Sequence, residues 1–162
     1  MTSRGTAMTS RGTFLPGPSL TPRPWSARVL ALAGLILIGL GLYFIFLRPA
    51  LLPEDPRYMG TTLPAIRAAL PGLEAWLEKV FWVMGGYMIA SGLLTGALAL
   101  TLVREGRPGI GGVVAVAGLL SIGWMAAVNF MLDSDFKWVL LGLALLWPVA
   151  FVLMRLEGRA KA

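Results

Sequence analysis

The chain contains no cysteine and no histidine among its 162 residues. Without cysteine it forms no disulfide and has no thiol chemistry. Without either residue it lacks the usual protein ligands of haem, structural zinc and copper, as well as the commonest catalytic base. Only carboxylates are left to bind a metal cation, and the sequence predicts no cofactor.

Charged residues are also scarce, at 14% of the chain, whereas 57% of the residues are hydrophobic and the mean hydropathy is +0.76. Four uncharged runs of 19, 24, 25 and 17 residues lie between the charges, and roughly 20 residues are needed to cross about 30 Å of hydrocarbon. The alternative is a soluble core, but core helices rarely remain uncharged on all sides over such lengths. The predicted spans are 29–47, 80–103, 108–132 and 138–154.

The predicted fold class is therefore all-α: a polytopic membrane protein with a bundle of four transmembrane helices and an extracytoplasmic amphipathic helical loop. Residues 28–155 form the membrane domain, with the outer loop at 48–79. Residues 1–27 are predicted to be a disordered basic cytoplasmic tail, and residues 156–162 a second cytoplasmic tail. No Asp, Glu, Lys, Arg or His lies within a predicted span, which argues against an ion-coupled transporter.

The net charge of +6 does not indicate a nucleic-acid partner, because the basic residues flank the apolar runs. Nine of them lie in the two tails and in the turn between the second and third spans; the other side holds five, with six of the eight acidic residues. By the positive-inside rule both termini are cytoplasmic. The protein is predicted to be integral to the plasma membrane, the inner membrane in a bacterium, with the lipid bilayer as its first partner.

The segment LLPEDPRYMG, residues 51–60, follows the first apolar run. Pro53 and Pro56 are expected to stop the first helix as it leaves the membrane. Glu54 and Arg57 are spaced to form an i,i+3 pair worth a few tenths of a kcal/mol. These charges are expected to mark the exit from the membrane.

Farther along the loop, apolar residues recur at helical spacing from Leu63 to Val80. Thr62 is placed to cap this helix, and Pro71 and Gly72 are expected to break it. We predict two short helices, the second continuing into the second span. They are expected to lie on the bilayer surface or over the mouth of the bundle.

Four carboxylates near the predicted outer surface form a candidate cation site: Glu54, Asp55, Asp133 and Asp135. Carboxylates bind hard cations, but they also simply solvate loops. The identity of any metal stays open.

Polar and small residues form stripes on the second and third spans. Small residues allow membrane helices to approach closely, so the stripes predict either close helix packing or a ligand cavity. The short turn REGRP makes these two spans antiparallel neighbours, with Ser91 and Ser121 at equal depth, about 18 Å from the outer boundary at roughly 1.5 Å per residue. The candidate packing or cavity residues are Tyr87, Ser91, Gly92, Thr95, Gly96, Ser121 and Asn129.

The stretches FWVMGGYMIASGLLTGALAL and GLLSIGWMAAVNFMLDSD, joined by a short basic turn, resemble small four-span bacterial membrane proteins of unknown function that are distantly DoxX-like. The residues that carry the resemblance best are Gly85, Gly86, Ala90, Gly92 and Asp133. The chain departs from that group in its longer outer loop and in lacking an arginine in the third span. The resemblance implies a four-helix bacterial inner-membrane protein with an accessory role in a membrane complex.

Three functions remain open at this stage. The leading hypothesis is a non-enzymatic accessory, structural or assembly component that binds a membrane-protein partner, a second copy of itself as a homo-oligomer, or lipid. The second is a small carrier or channel for an uncharged or lipophilic solute, which requires a cavity between the second and third spans. The third is a metal-dependent lipid-modifying enzyme at the outer carboxylates.

Overall fold

A computed structural model describes residues 24–160, which are helical and contain no β-strand. Four helices in this part of the chain are long and apolar enough to cross a membrane. The all-α class and the four predicted spans are thereby confirmed. The spans, numbered 1 to 4, are Trp25–Phe46, Leu73–Val103, Ile110–Met131 and Lys137–Arg159.

The ends of the spans differ from the predicted ones. Trp25 to Ala27 are already helical although they were assigned to the disordered tail, and span 4 continues to Arg159. Span 2 begins seven residues before the predicted start, at Leu73. Charged side chains lie in helix ends because their long stems can reach the membrane surface, so counting between charges underestimates the helices. The rest of the predicted N-terminal tail lies outside the described residues.

Spans 1 and 2 pack closely through two reciprocal glycine pairs. A Cβ built on Gly34 would lie 2.7 Å from the carbonyl oxygen of Gly92, and one built on Gly41 would lie 2.6 Å from that of Gly85. Spans 2 and 3 were predicted to be antiparallel neighbours, either closely packed or with a cavity between them; the main contact of span 2 is instead with span 1. The short turn holds spans 2 and 3 together only at one end, whereas the glycines let spans 1 and 2 approach along their length.

Spans 3 and 4 form the second packed pair. The Trp147 ring lies directly over Gly118, where a Cβ would clash with it. Span 4 is interrupted at Leu145, because Pro148 has no N–H to bond the carbonyl of Ala144. The buried core joins the two pairs around Leu30, Ala33, Ala99, Val114, Ile122 and Ala150.

Hydrogen bonds join the start of span 1 to the end of span 4 at one end of the bundle. The Ser26 N–H donates to Glu157 Oε1 at 3.2 Å, and the Ser26 hydroxyl donates to Oε2. Ser26 is fully buried there. The two ends of the described chain therefore lie on the same side of the bundle.

The loop between spans 1 and 2 carries two short helices, a roof helix at Glu54–Tyr58 and a surface helix at Leu63–Ala69. Thr62 caps the surface helix by accepting from Ala65 N at 3.4 Å, and a break before span 2 falls at Pro71 and Gly72, as predicted.

Span 1 ends one residue before its predicted end, but the roles of the prolines and charges that follow it were predicted wrongly. Span 1 ends at Phe46, well before the prolines, and Pro53 precedes a new helix that contains Pro56. A proline near a helix start is favourable because the missing N–H would have no partner there. Arg57 does not pair with Glu54: it donates to the carbonyl oxygen of Asp133 at 2.8 Å.

Candidate binding cavity

A cavity of about 530 Å³ lies between the two helix pairs, in the half of the bundle nearest the loop. Its volume is within the range of pockets that bind small molecules. All four spans contribute to its wall, which is mainly apolar. Apolar lining residues include Leu37, Phe44, Met84, Met88, Met125 and Leu140.

Four of the seven candidate packing or cavity residues line this cavity. Tyr87 and Ser91 face it from span 2, and Ser121 and Asn129 from span 3. Ser121 Oγ donates to the carbonyl of Ala117 at 2.7 Å, and Asn129 Nδ2 donates to that of Met125 at 2.9 Å. The two polar stripes therefore face each other across the cavity rather than bonding to each other.

The other three packing or cavity candidates contribute to helix structure and packing instead. Gly92 is buried against span 1, and the backbone nitrogen of Gly96 lies close to Gly34. Thr95 donates to the carbonyl of Ser91 at 2.8 Å, within its own helix. The predicted stripe on span 2 therefore included residues from two surfaces of that helix: one packs against span 1 and the other lines the cavity.

Span 3 is irregular beside the cavity. Residues Leu119–Gly123 form a π-helical turn, which includes the cavity-lining residues Ser121 and Ile122. Such turns are rare within α-helices and are frequent at functional sites. The turn shifts the register of span 3 at the depth of the cavity wall.

The cavity is open on the side of the bundle between spans 2 and 3. Tyr87 and Trp124 both line it, yet they are 73% and 63% exposed. The main contact between the two spans lies farther away, where Ala99–Val103 meets Ile110–Gly118. Because both exposed aromatics lie within apolar spans, this opening faces the region that lipid occupies around a membrane helix.

The loop end of the cavity is polar and charged. The Arg48 guanidinium lies 3.5 Å from the centre of the Phe81 ring and donates from Nη1 to the carbonyl of Pro49 at 2.8 Å. Burial lowers the pKa of Arg48, while the nearby Asp55, Tyr43 and Glu54 oppose that shift. Arg48, Glu54 and Asp55 all line the cavity.

The roof helix is fastened over the cavity by a buried hydrogen bond. Ser134 Oγ donates to Glu54 Oε1 at 2.7 Å, and these residues are 1% and 2% exposed. Ser134 Oγ also accepts from Phe136 N at 3.2 Å. Together with the contact of Arg57 to Asp133, this bond joins the loop to the turn between spans 3 and 4.

The four carboxylates of the predicted cation site are not gathered into one group. Glu54 is buried, Asp55 Oδ2 accepts from Leu52 N at 2.7 Å, and Asp133 pairs with Lys137. The hydrogen bond from Lys137 and its charge lower the pKa of Asp133. Within residues 24–160, no group of three or more acidic side chains is arranged to hold a metal ion.

Sequence reasoning missed the polar end of the cavity. Arg48 follows an apolar run directly, so it was taken as a boundary of the membrane, and nothing in the sequence links it to Phe81. Ser134 was overlooked because the acidic residues on either side of it were the candidate cation ligands. The contribution of spans 1 and 4 to the wall was also missed, because their apolar residues carry no pattern beyond hydrophobicity.

No protein-family model, curated protein or solved structure matches the chain. The fold defines its class: a four-span, all-α integral membrane protein. The similarity to DoxX-like proteins stays a prediction.

Proposed function

We propose that this chain is a non-enzymatic membrane protein that binds a lipophilic molecule, with the apolar part of the ligand in the cavity between the two helix pairs. The single observation that supports the proposal is the cavity of about 530 Å³ with its opening beside Tyr87 and Trp124. This function develops the lipid-binding branch of the leading hypothesis from sequence.

The wall suits a flexible hydrocarbon chain. Met84, Met88 and Met125 line it, and methionine adapts its shape to different apolar ligands. A ligand that enters from the bilayer exchanges one apolar environment for another, so its affinity depends on packing and on a few polar contacts rather than on a hydrophobic gain. The hydroxyl and amide groups of Ser91, Ser121 and Asn129 are placed to orient such a ligand.

The packed half of the bundle, away from the loop, favours ligand binding over transport of the ligand across the membrane. Leu30, Ala33, Val114 and Ala150 are buried there at no more than 2% exposure, and the cavity is lined by residues nearer the loop. A carrier would have to separate these contacts during each cycle. Retention and presentation of a ligand require no such change.

For its setting we propose the inner membrane of a bacterium, with both termini in the cytoplasm. The distribution of basic residues supports this orientation, and the contact of Ser26 with Glu157 is consistent with both ends on one side. The cavity would then open into the leaflet away from the cytoplasm. An accessory role in a complex is compatible with lipid binding.

Native mass spectrometry of the full chain, released from its own membranes in mild detergent, tests the proposal. We expect a lipophilic mass to remain on the wild-type protein. Ser91→Trp and Met125→Trp fill the cavity from opposite walls and should each remove that mass. Leu94→Trp is the matched control, because Leu94 lies one turn from Ser91 and is 67% exposed.

Loss of the bound mass from both cavity variants, but not from Leu94→Trp, would support binding in the cavity. Retention by a correctly folded Met125→Trp protein would contradict it. A stable mass of a second protein without any lipid would instead favour an accessory subunit that binds through its outer surface.

A further inference from the structure

We propose that the polar end of the cavity recognises the headgroup of a zwitterionic aminophospholipid, with Arg48 binding its phosphate and Glu54 binding its primary ammonium group. The inference rests on the proposed function and specifies its ligand. It depends on a juxtaposition that the sequence does not reveal: a cation and a buried carboxylate at one end of an apolar cavity.

Contacts hold the Arg48 guanidinium in place and leave some of its N–H groups available as hydrogen-bond donors. Its guanidinium stacks on Phe81, and Nη1 bonds to the carbonyls of Pro49 and Ala50. Among residues 24–160, Nε and Nη2 have no hydrogen-bond partner and Arg48 forms no ion pair. A guanidinium fixed in this way suits a phosphate, whose oxygens accept two parallel hydrogen bonds.

Glu54 supplies the opposite charge. Its Oε1 accepts from Ser134, whereas Oε2 has no donor in the described part of the chain. No side-chain polar atom there is both buried and unpaired, so Oε2 retains a small accessible area. A primary ammonium group supplies the donor that this oxygen lacks, and a quaternary ammonium group does not.

The position of these groups matches a lipid headgroup. Arg48 is two residues beyond the end of span 1, and Glu54 begins the roof helix. This is where the hydrocarbon of a bilayer gives way to its polar layer. A lipid with its headgroup beneath the roof helix can place an acyl chain in the apolar cavity and extend through the opening between spans 2 and 3.

The balance of charge favours a zwitterion over an anion. One guanidinium and two carboxylates, those of Glu54 and Asp55, line this end of the cavity. An anionic headgroup without an amine would be attracted by Arg48 but repelled by both carboxylates. A headgroup without charge contains no phosphate for Arg48 to bind.

Lipid competition on the purified full chain tests the inference and needs no variant. The delipidated protein is mixed with equimolar phosphatidylethanolamine, phosphatidylcholine, phosphatidylglycerol and diacylglycerol with identical acyl chains, and bound masses are measured by native mass spectrometry. We expect phosphatidylethanolamine to be retained about tenfold over phosphatidylcholine and phosphatidylglycerol, which is the effect of one added charge-assisted hydrogen bond, and more strongly still over diacylglycerol, which lacks both charged groups.

Variants at two residues then assign the charges. Arg48→Gln should reduce phosphatidylethanolamine to the level of diacylglycerol, and Arg48→Lys, which keeps the charge but not the planar fork, should reduce it by a few fold. Glu54→Gln keeps an acceptor for Ser134 and should remove the preference over phosphatidylglycerol. Arg67→Gln is the control, because Arg67 is exposed in the same loop, pairs with Glu74 and does not line the cavity.

The results separate the two proposals. Equal retention of all four lipids, or a preference unchanged in Arg48→Gln, would overturn the headgroup assignment while leaving the cavity proposal in place. Failure of the wild-type chain to retain any lipid would overturn both. Selective loss in Arg48→Gln and Glu54→Gln, with Arg67→Gln unchanged, would establish the assignment.

Discussion

Gly34 and Gly92 lie backbone to backbone where spans 1 and 2 cross. A Cβ on Gly34 would lie 2.7 Å from the carbonyl oxygen of Gly92, and a Cβ on Gly92 would lie 2.5 Å from that of Gly34. Neither position has room for a methyl group, because the atom it would meet belongs to the rigid backbone of the other helix. This contact brings span 2 to span 1 and leaves the cavity on its other side.

Gly92→Ala should therefore destabilise the bundle by about 1–3 kcal/mol, the usual cost of overpacking, and Gly92→Leu should disrupt it further. Gly96→Ala is the matched control, because nothing lies within 4 Å of a Cβ at Gly96. Tryptophan fluorescence during thermal unfolding in detergent measures both. Equal stability of the Gly92→Ala and Gly96→Ala proteins would contradict the close crossing.

The hydrogen bonds between Ser26 and Glu157 should hold the first and last spans together. Glu157→Ala leaves the buried Ser26 without its acceptor and is expected to cost about 1–3 kcal/mol. The double variant with Ser26→Ala should cost less than the sum of the single changes, since both remove the bond from the Ser26 hydroxyl, whereas only Glu157→Ala also removes the bond from the Ser26 N–H. Arg159→Ala, at an exposed position, is the control, and strict additivity in the double variant would count against a direct interaction.

Ser134→Ala should loosen the roof helix, because it removes the donor from a buried carboxylate. We expect amide hydrogen exchange to increase over residues 54–58 while exchange within span 1 stays unchanged. Asp135→Ala serves as the control, since Asp135 is exposed in the same turn. Unaltered exchange in the roof helix of Ser134→Ala would show that this bond does not fasten the loop.

The pair of Asp133 and Lys137 predicts a small dependence of stability on pH. The pKa of Asp133 is lowered in the fold from its ordinary value of 3.8, so the ionised form stabilises the native state above that value. This contribution is lost as the pH falls through the lowered pKa, and it is small because the pair is exposed. The difference in thermal midpoint between wild type and Asp133→Asn should shrink from about pH 7 to about pH 3; a constant difference would refute the assignment.

Because the chain has no cysteine, single introduced cysteines can test its orientation in the membrane. Thr61→Cys and Ala162→Cys each introduce a single thiol into a chain that has none. In intact cells a membrane-impermeant maleimide should label Thr61→Cys, and it should label Ala162→Cys only after the membrane is permeabilised. The reverse pattern would invert the proposed topology, and the cavity would then face the cytoplasmic leaflet.

The cavity shows how much of the site could be predicted from the sequence. Ser91 and Ser121 were placed at equal depth on neighbouring spans, and both line it. Their pattern did not reveal whether the two helices touch, because small and polar residues serve a packed interface and a cavity wall equally well. That question was decided by Gly34 and Gly41 in span 1, which complement the glycines of span 2 and draw it away from span 3.

By itself the sequence determined the class of the protein: four uncharged runs too long and too apolar for a soluble core, joined by one long loop and two short turns. These features depend on composition and local spacing, which act within one helix at a time. Tertiary structure alone decided which spans pair, that Glu54 is buried at the start of the roof helix, and that Arg48 meets Phe81 at the end of a cavity. Such contacts join residues far apart in the chain, and they depend on shape complementarity between helices, which no single segment encodes.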